Sequence, residues 1–127
     1  MKTRRMRDLA PEISRCRSVA ELVVPNRTLT GSEVKDFLRA LAKEINMTII
    51  DIPEPTDASG WGLGGWMHIE ESGVEFMEYH RTDGRPDLIT IDAYSCRPYS
   101  ERQLAEFAAG HFGAVDLEYT KILPELW

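Results

Sequence analysis

The chain is short of cysteine, of basic charge and of long apolar runs, and each shortage closes off a class of function. Two cysteines in 127 residues, Cys16 and Cys96, are too few for a disulfide scaffold or a cysteine-rich metal site. The 15 Lys and Arg side chains are outnumbered by 21 Asp and Glu, giving a net charge of −6, so the phosphate-neutralising surplus of a nucleic-acid binder is missing. No apolar run approaches the roughly 18 residues of a membrane span, and the basic start Met1-Lys2-Thr3-Arg4-Arg5 leads into no apolar signal-peptide core. His68, His80 and His111 lack metal-ligand spacing, so no metal is expected. Gly60-Trp61-Gly62-Leu63-Gly64-Gly65 lacks the lysine of a phosphate loop and precedes a strand where that loop needs a helix. It reads as a flexible crossing, open to lying over a ligand. What remains is a soluble, cytoplasmic single domain, with 43% hydrophobic residues to build its core and neither nucleic acid nor membrane as partner.

Residues 1–17, with Arg4, Arg5, Arg7, Arg15 and Arg17, read as a solvated basic arm ahead of one domain at 18–127. A strand is expected at 18–24, ended by Pro25-Asn26. Thr30 and Glu33 have capping-box spacing, and Val34, Phe37, Leu38, Leu41 and Ile45 form one helical stripe closed by Asn46. Strands follow at 47–52, 65–72 and 74–80, the last two meeting at Gly73 or flanking a bulge there. A turn at 82–86 leads into a strand at 88–96. Ser100 and Gln103 repeat the capping-box spacing before a second helix with Leu104, Phe107 and Ala108 on one side, closed at Gly110 or Gly113. A strand at 115–122 ends the pattern. Summarised as β-α-β-β-β-α-β, this is an α+β two-layer sandwich with two helices on one face of a mostly antiparallel sheet.

Strand alternation then divides the sheet into faces. Ile89, Ile91 and Ala93, with Met67 and Ile69, are expected to meet the helices. Trp66, His68, Glu70, Ser72, Asp92, Tyr94 and Cys96 fall on the other side, which two helices cannot cover. That face mixes large apolar groups with ionisable ones, unlike an ordinary solvated surface. A second copy of the chain is the expected cover, with a pocket between subunits.

The element order, Glu71-Ser72 after an apolar strand, and Ile91-Asp92-Ala93-Tyr94-Ser95-Cys96 at the end of a later one resemble the small prokaryotic S-adenosylmethionine decarboxylases. The resemblance implies self-cleavage between Glu71 and Ser72, with Ser72 becoming a pyruvoyl group that forms a Schiff base with the substrate amine and acts as electron sink. It also implies that Cys96 is the proton donor after decarboxylation, with Asp92 the acidic residue before it. Three positions depart from the family motif. The histidine after the serine is Gly73, a second histidine five residues after the serine is Met77, and an auxiliary serine eight residues upstream is Gly64. His80 lies three residues beyond the missing histidine and is expected to face the opposite side. The interval from Ser72 to Cys96 is about four residues longer than the family's, read as an enlarged hairpin.

Phage S-adenosylmethionine lyases look like relatives of this fold, form oligomers and keep no pyruvoyl group. Their chemistry asks mainly that the substrate be folded for internal attack, so acidic groups and aromatic faces that hold sulfonium and ammonium charges suffice. Trp66, Glu70, Glu71, Asp92, Tyr94 and Glu118 are the candidate contacts, and the acidic net charge suits a cationic ligand. Three readings stand. The first, which is favoured, is an uncleaved S-adenosylmethionine lyase with no cofactor, acting between subunits. The second is a pyruvoyl-dependent decarboxylase of S-adenosylmethionine or a related amino acid, as in polyamine synthesis, with Glu71, Ser72 and Cys96 catalytic. The third is a non-enzymatic relative that binds a ligand or partner on the same face.

Overall fold

Thr30 closes a full capping box: its hydroxyl accepts from the Glu33 amide at 3.1 Å, and the Glu33 carboxylate accepts from the Thr30 amide at 3.1 Å. These contacts start α1 (Gly31–Glu44) where the sequence places it, and Val34, Phe37, Leu38, Leu41 and Ala42 are buried along one side. The computed structural model describes residues 5–127. Around α1 the chain forms β1 (Cys16–Val24), β2 (Ile49–Asp51), β3 (Gly64–Ile69), β4 (Ser72–Tyr79), β5 (Asp87–Ser95), α2 (Glu101–Phe112) and β6 (Asp116–Leu123). Four strands stand between the helices, one more than the summary β-α-β-β-β-α-β allows. The expected α+β sandwich is otherwise present. The six strands are ordered β2-β3-β4-β5-β1-β6, and every neighbouring pair is antiparallel.

Both helices lie on one face. Phe37 from α1 packs against Phe76 of β4 and against Phe107 and Phe112 of α2, with centroids 5.9, 6.3 and 4.6 Å apart. Met67, Ile69, Ile89, Ile91 and Ala93 are buried in the same core, as the alternation predicts. α2 opens on Ser100, whose hydroxyl accepts from the Gln103 amide at 3.0 Å, and closes at Gly113, which has a left-handed φ of 64°. Gly110 stays inside the helix. The Gln103 side chain leaves the cap to donate to the Glu44 carbonyl at 3.1 Å, tying the two helices together. Among the described residues no helix is long and apolar enough to cross a membrane.

Three expectations shift. β1 begins at Cys16, so Cys16 and Arg17 belong to the sheet and not to an arm. Residues 1–4 of that arm lie outside the described residues, and the rest is tied to the chain's end. The Met6 amide donates to Leu126 at 2.9 Å, and the Arg15 guanidinium lies 4.3 Å over the Trp127 ring while pairing with Asp8. Aromatic and ionic contacts together fix what charge alone made look solvated. The third shift concerns the turn between β3 and β4. It falls at Glu70-Glu71, with Glu71 at a positive φ of 58°, while Gly73 sits inside β4.

Two carboxylates are buried at the far end of the sheet. Glu78 accepts from the amides of Leu29 at 3.1 Å and Leu63 at 3.2 Å. Asp87 accepts from the Asn26 amide group, from the backbone of Arg27 and Arg81, and from His80 Nδ1 at 2.8 Å. The bond to Asp87 raises the His80 imidazole above its ordinary value; burial opposes this, and the charges of Asp87 and Glu78 add to it. Burial pushes Asp87 up, but the bonds from His80, Arg81 and Arg27 outweigh it and hold the carboxyl low.

A histidine raised on folding contributes in full below its unfolded value of about 6.5, and that contribution is lost as pH rises through the folded value. A carboxyl lowered on folding contributes above about 3.9 and is lost as pH falls. Stability from this pair is therefore expected to be greatest between about pH 4 and 6.5. The urea midpoint should decline on the alkaline side, and His80→Gln should remove that decline. A wild-type midpoint constant from pH 6 to 8 would refute the assignment.

Candidate functional site

On the helix-free face the register brings residues into rows. His68 of β3, Gly73 of β4, Tyr94 of β5 and Arg17 of β1 lie side by side. The next row holds Trp66, Glu75, Asp92, Val19 and Thr120, and the one beyond it Gly64, Met77, Thr90, Glu21 and Glu118. Trp66 and Tyr94 are 43% and 40% exposed, so two large aromatic side chains stand on an open sheet face.

The Trp66 indole lies on Gly73. A Cβ at residue 73 would come within 2.1 Å of Trp66 Cη2 and 2.5 Å of its Cζ2. Gly73 is thus required by the close approach of the Trp66 ring to the strand and not by a turn. The histidine of the decarboxylase motif has no room at this position while Trp66 keeps its place.

An open depression of about 570 Å³ on this face is lined by Trp66, Glu71, Ser72, Tyr94 and Cys96, five of the eight residues singled out in the sequence, together with Ile13, His68 and Gly73. The Cys96 amide donates to the Glu71 carbonyl at 2.9 Å, which holds the turn beside the end of β5. The segment after Cys96 is fixed by Tyr99, whose hydroxyl donates to the Ala93 carbonyl at 3.0 Å and lies 2.7 Å from Ser18 Oγ. Burial pushes the Tyr99 hydroxyl up to about 12, with the Ser18 bond acting against it.

Ser72 differs from the expectation that its hydroxyl shares a face with Cys96. The two-residue turn sets Ser72 opposite Ile69, a core residue, so the hydroxyl points to the helix side. There it lies 2.7 Å from Ser95 Oγ and 3.1 Å from the Glu70 carbonyl oxygen. Continuing β3 through residue 72 would have put it outside; the turn at 70–71 reverses the parity. No titratable side chain is among the hydrogen-bond partners of this hydroxyl.

The remaining three are not gathered into the depression. Glu70 is exposed in the turn. Asp92 is held by Arg17 through two bonds of 3.0 and 2.6 Å, so its charge is already matched. Glu118 lies on β6, four strands from Trp66, or about 19 Å at the usual strand spacing. It stands directly across from Glu21, a like-charged pair. Sequence reasoning missed Ile13, which was read as arm, and Glu75, which the β4 alternation Gly73-Glu75-Met77 would have placed outside had the turn been read at Glu70-Glu71.

The left-handed Glu71 yields a stability prediction. A non-glycine residue there costs of order 1–3 kcal/mol, part of which glycine returns through its own unfolded-state entropy. Glu71→Gly is expected to raise folding stability by about 1 kcal/mol in urea unfolding, because the bond to Cys96 uses the backbone and is kept. A variant no more stable than its parent would show that the backbone at residue 71 is unstrained.

No family model and no curated protein sequence matches the chain. Among solved structures it is similar to the crystal structure of the adenosylmethionine decarboxylase from Aquifex aeolicus VF5, at 15% identity and a TM-score of 0.66. The match covers 86% of this chain and 88% of that one, so the two share a fold over nearly their whole length.

Proposed function

We propose that the chain is a lyase acting on S-adenosylmethionine without self-cleavage, in a pocket on the helix-free sheet face that a second copy of the chain completes. The observation that carries the reading is the Trp66 indole seated on Gly73. It occupies the place of the motif's histidine and leaves an open aromatic floor beside carboxylates. A pyruvoyl group made from Ser72 does not fit these residues, since the hydroxyl is turned to Ser95 and away from Cys96.

In the lyase reaction the substrate's own carboxylate oxygen attacks its γ-carbon and the carbon–sulfur bond breaks towards sulfur. The products are homoserine lactone and methylthioadenosine, with no water or oxidant consumed. The protein's part is to hold a folded, near-attack shape, for which effective molarities of about 10⁵ M and above are available. Trp66 offers a π-face to the sulfonium and Tyr94 a flat surface to the rest of the substrate, and the chain's net negative charge attracts the cation. A fold shared with an adenosylmethionine decarboxylase agrees with this substrate class.

One observation favours the decarboxylase as a second reading. The positive φ of Glu71 places backbone strain at the Glu71-Ser72 bond that such an enzyme would cut. Intact-mass analysis of purified protein, followed by chromatography after incubation with S-adenosylmethionine, separates the readings. The lyase gives one uncleaved chain and methylthioadenosine, and Ser72→Ala keeps that activity. A chain split before Ser72 that releases carbon dioxide from the substrate would overturn it. Neither product would leave a binding protein.

A further inference from the structure

Trp66 walls a second cleft on its other side, of about 500 Å³, between β3–β4 and the chain at 53–59. Its lining includes Glu75, Met77, Thr56 and Gly64. The cleft is preformed: Thr56 and Gly64 exchange backbone bonds of 3.0 and 2.8 Å, which clamp the loop to β3. Of the two carboxylates on its wall, Glu54 is paired with Lys35 at 3.0 Å. Glu75 makes no ion pair or side-chain hydrogen bond among the described residues. Arg17, two strands away on β1 in the adjoining row, is held by Asp92.

We infer that this cleft is a subsite for an organic cation, in which the Glu75 carboxylate and the Trp66 indole hold the sulfonium centre. The inference rests on the proposed S-adenosylmethionine reading and assigns the end of the ligand that carries charge. The chemistry follows from the lining. A carboxylate without a counterion, an exposed indole face and a thioether together suit a cation carried on apolar substituents, which a hydrated inorganic ion would not match. Trp66 belongs to both clefts, so a ligand with a cation in one and a ring system in the other would straddle a single side chain.

The test compares binding of S-adenosylmethionine with that of its neutral thioether counterpart, S-adenosylhomocysteine, by titration calorimetry. Wild-type protein is expected to prefer the sulfonium by about fivefold, the scale of one partly exposed charge contact. Glu75→Gln should abolish that preference by weakening the sulfonium alone, while Glu118→Gln should leave it intact. If both ligands bind and Glu75→Gln keeps the preference, or wild type shows none, the subsite assignment is wrong while the substrate reading stands. If neither ligand binds wild type, the substrate reading falls and takes the subsite with it.

Discussion

Asp87→Ala is expected to lower folding stability by about 3–4 kcal/mol, read as a fall in the urea midpoint. The carboxylate is 1% exposed, and four donors converge on it: Asn26 Nδ2, the amides of Arg27 and Arg81, and His80 Nδ1. Removing the acceptor leaves several of these without a partner in a place where water reaches poorly, so the cost is that of orphaned donors more than of one lost bond. Asp87→Asn keeps the shape and one acceptor oxygen and should cost less than half as much. In the same variants the His80 titration should move down to the ordinary histidine range, since the bond to Asp87 is the main cause of its elevation. A loss below about 1 kcal/mol for the alanine variant would mean that water or rearranged neighbours satisfy these donors.

The second large effect is expected at Gly73. A single added methyl would lie 2.1 Å from the Trp66 ring, so either the ring or the strand must shift. Gly73→Ala is therefore expected to cost about 2–3 kcal/mol through overpacking, or to lift the indole off the strand, visible as a change in tryptophan fluorescence. The two positions should be strongly coupled. In the Trp66→Ala background the same alanine at residue 73 should cost under about 0.5 kcal/mol. Additive costs in the two backgrounds would refute the contact.

Much of the architecture was legible because short-range chemistry and tertiary packing agree in it. Thr30–Glu33 and Ser100–Gln103 mark helix starts that the structure keeps, and the stripe from Val34 to Leu41 is the buried side of α1. The alternation Ile89-Ile91-Ala93 likewise identifies the inward side of β5. The site was less legible, and one turn accounts for it. Glycine is the residue expected at a positive φ, so Gly73 drew the turn, whereas Glu71 adopts that conformation and Gly73 serves the Trp66 ring. With the turn at Glu70-Glu71, Ser72 opens β4 opposite Ile69 and its hydroxyl falls on the helix side of the sheet. Asp87 and Glu78 were illegible for another reason. Their partners come from residues such as Asn26 and Leu29, some 50 to 60 positions away in sequence, and no local pattern announces such an encounter.

The order of the strands carries a consequence for self-association. The two outermost strands, β2 and β6, are the only rows of unpaired backbone groups the sheet presents among the described residues. β2 is three residues long and is followed by Pro53 and Pro55, which supply no amide hydrogen to an incoming strand. β6 carries Asp116, Glu118 and Lys121, side chains that hinder a flat approach by another strand. Growth of the sheet sideways into fibrils or continuous strand-paired assemblies is thereby discouraged at both margins. The second copy proposed above is thereby steered away from the sheet margins and towards a broadside meeting on the tryptophan-bearing surface.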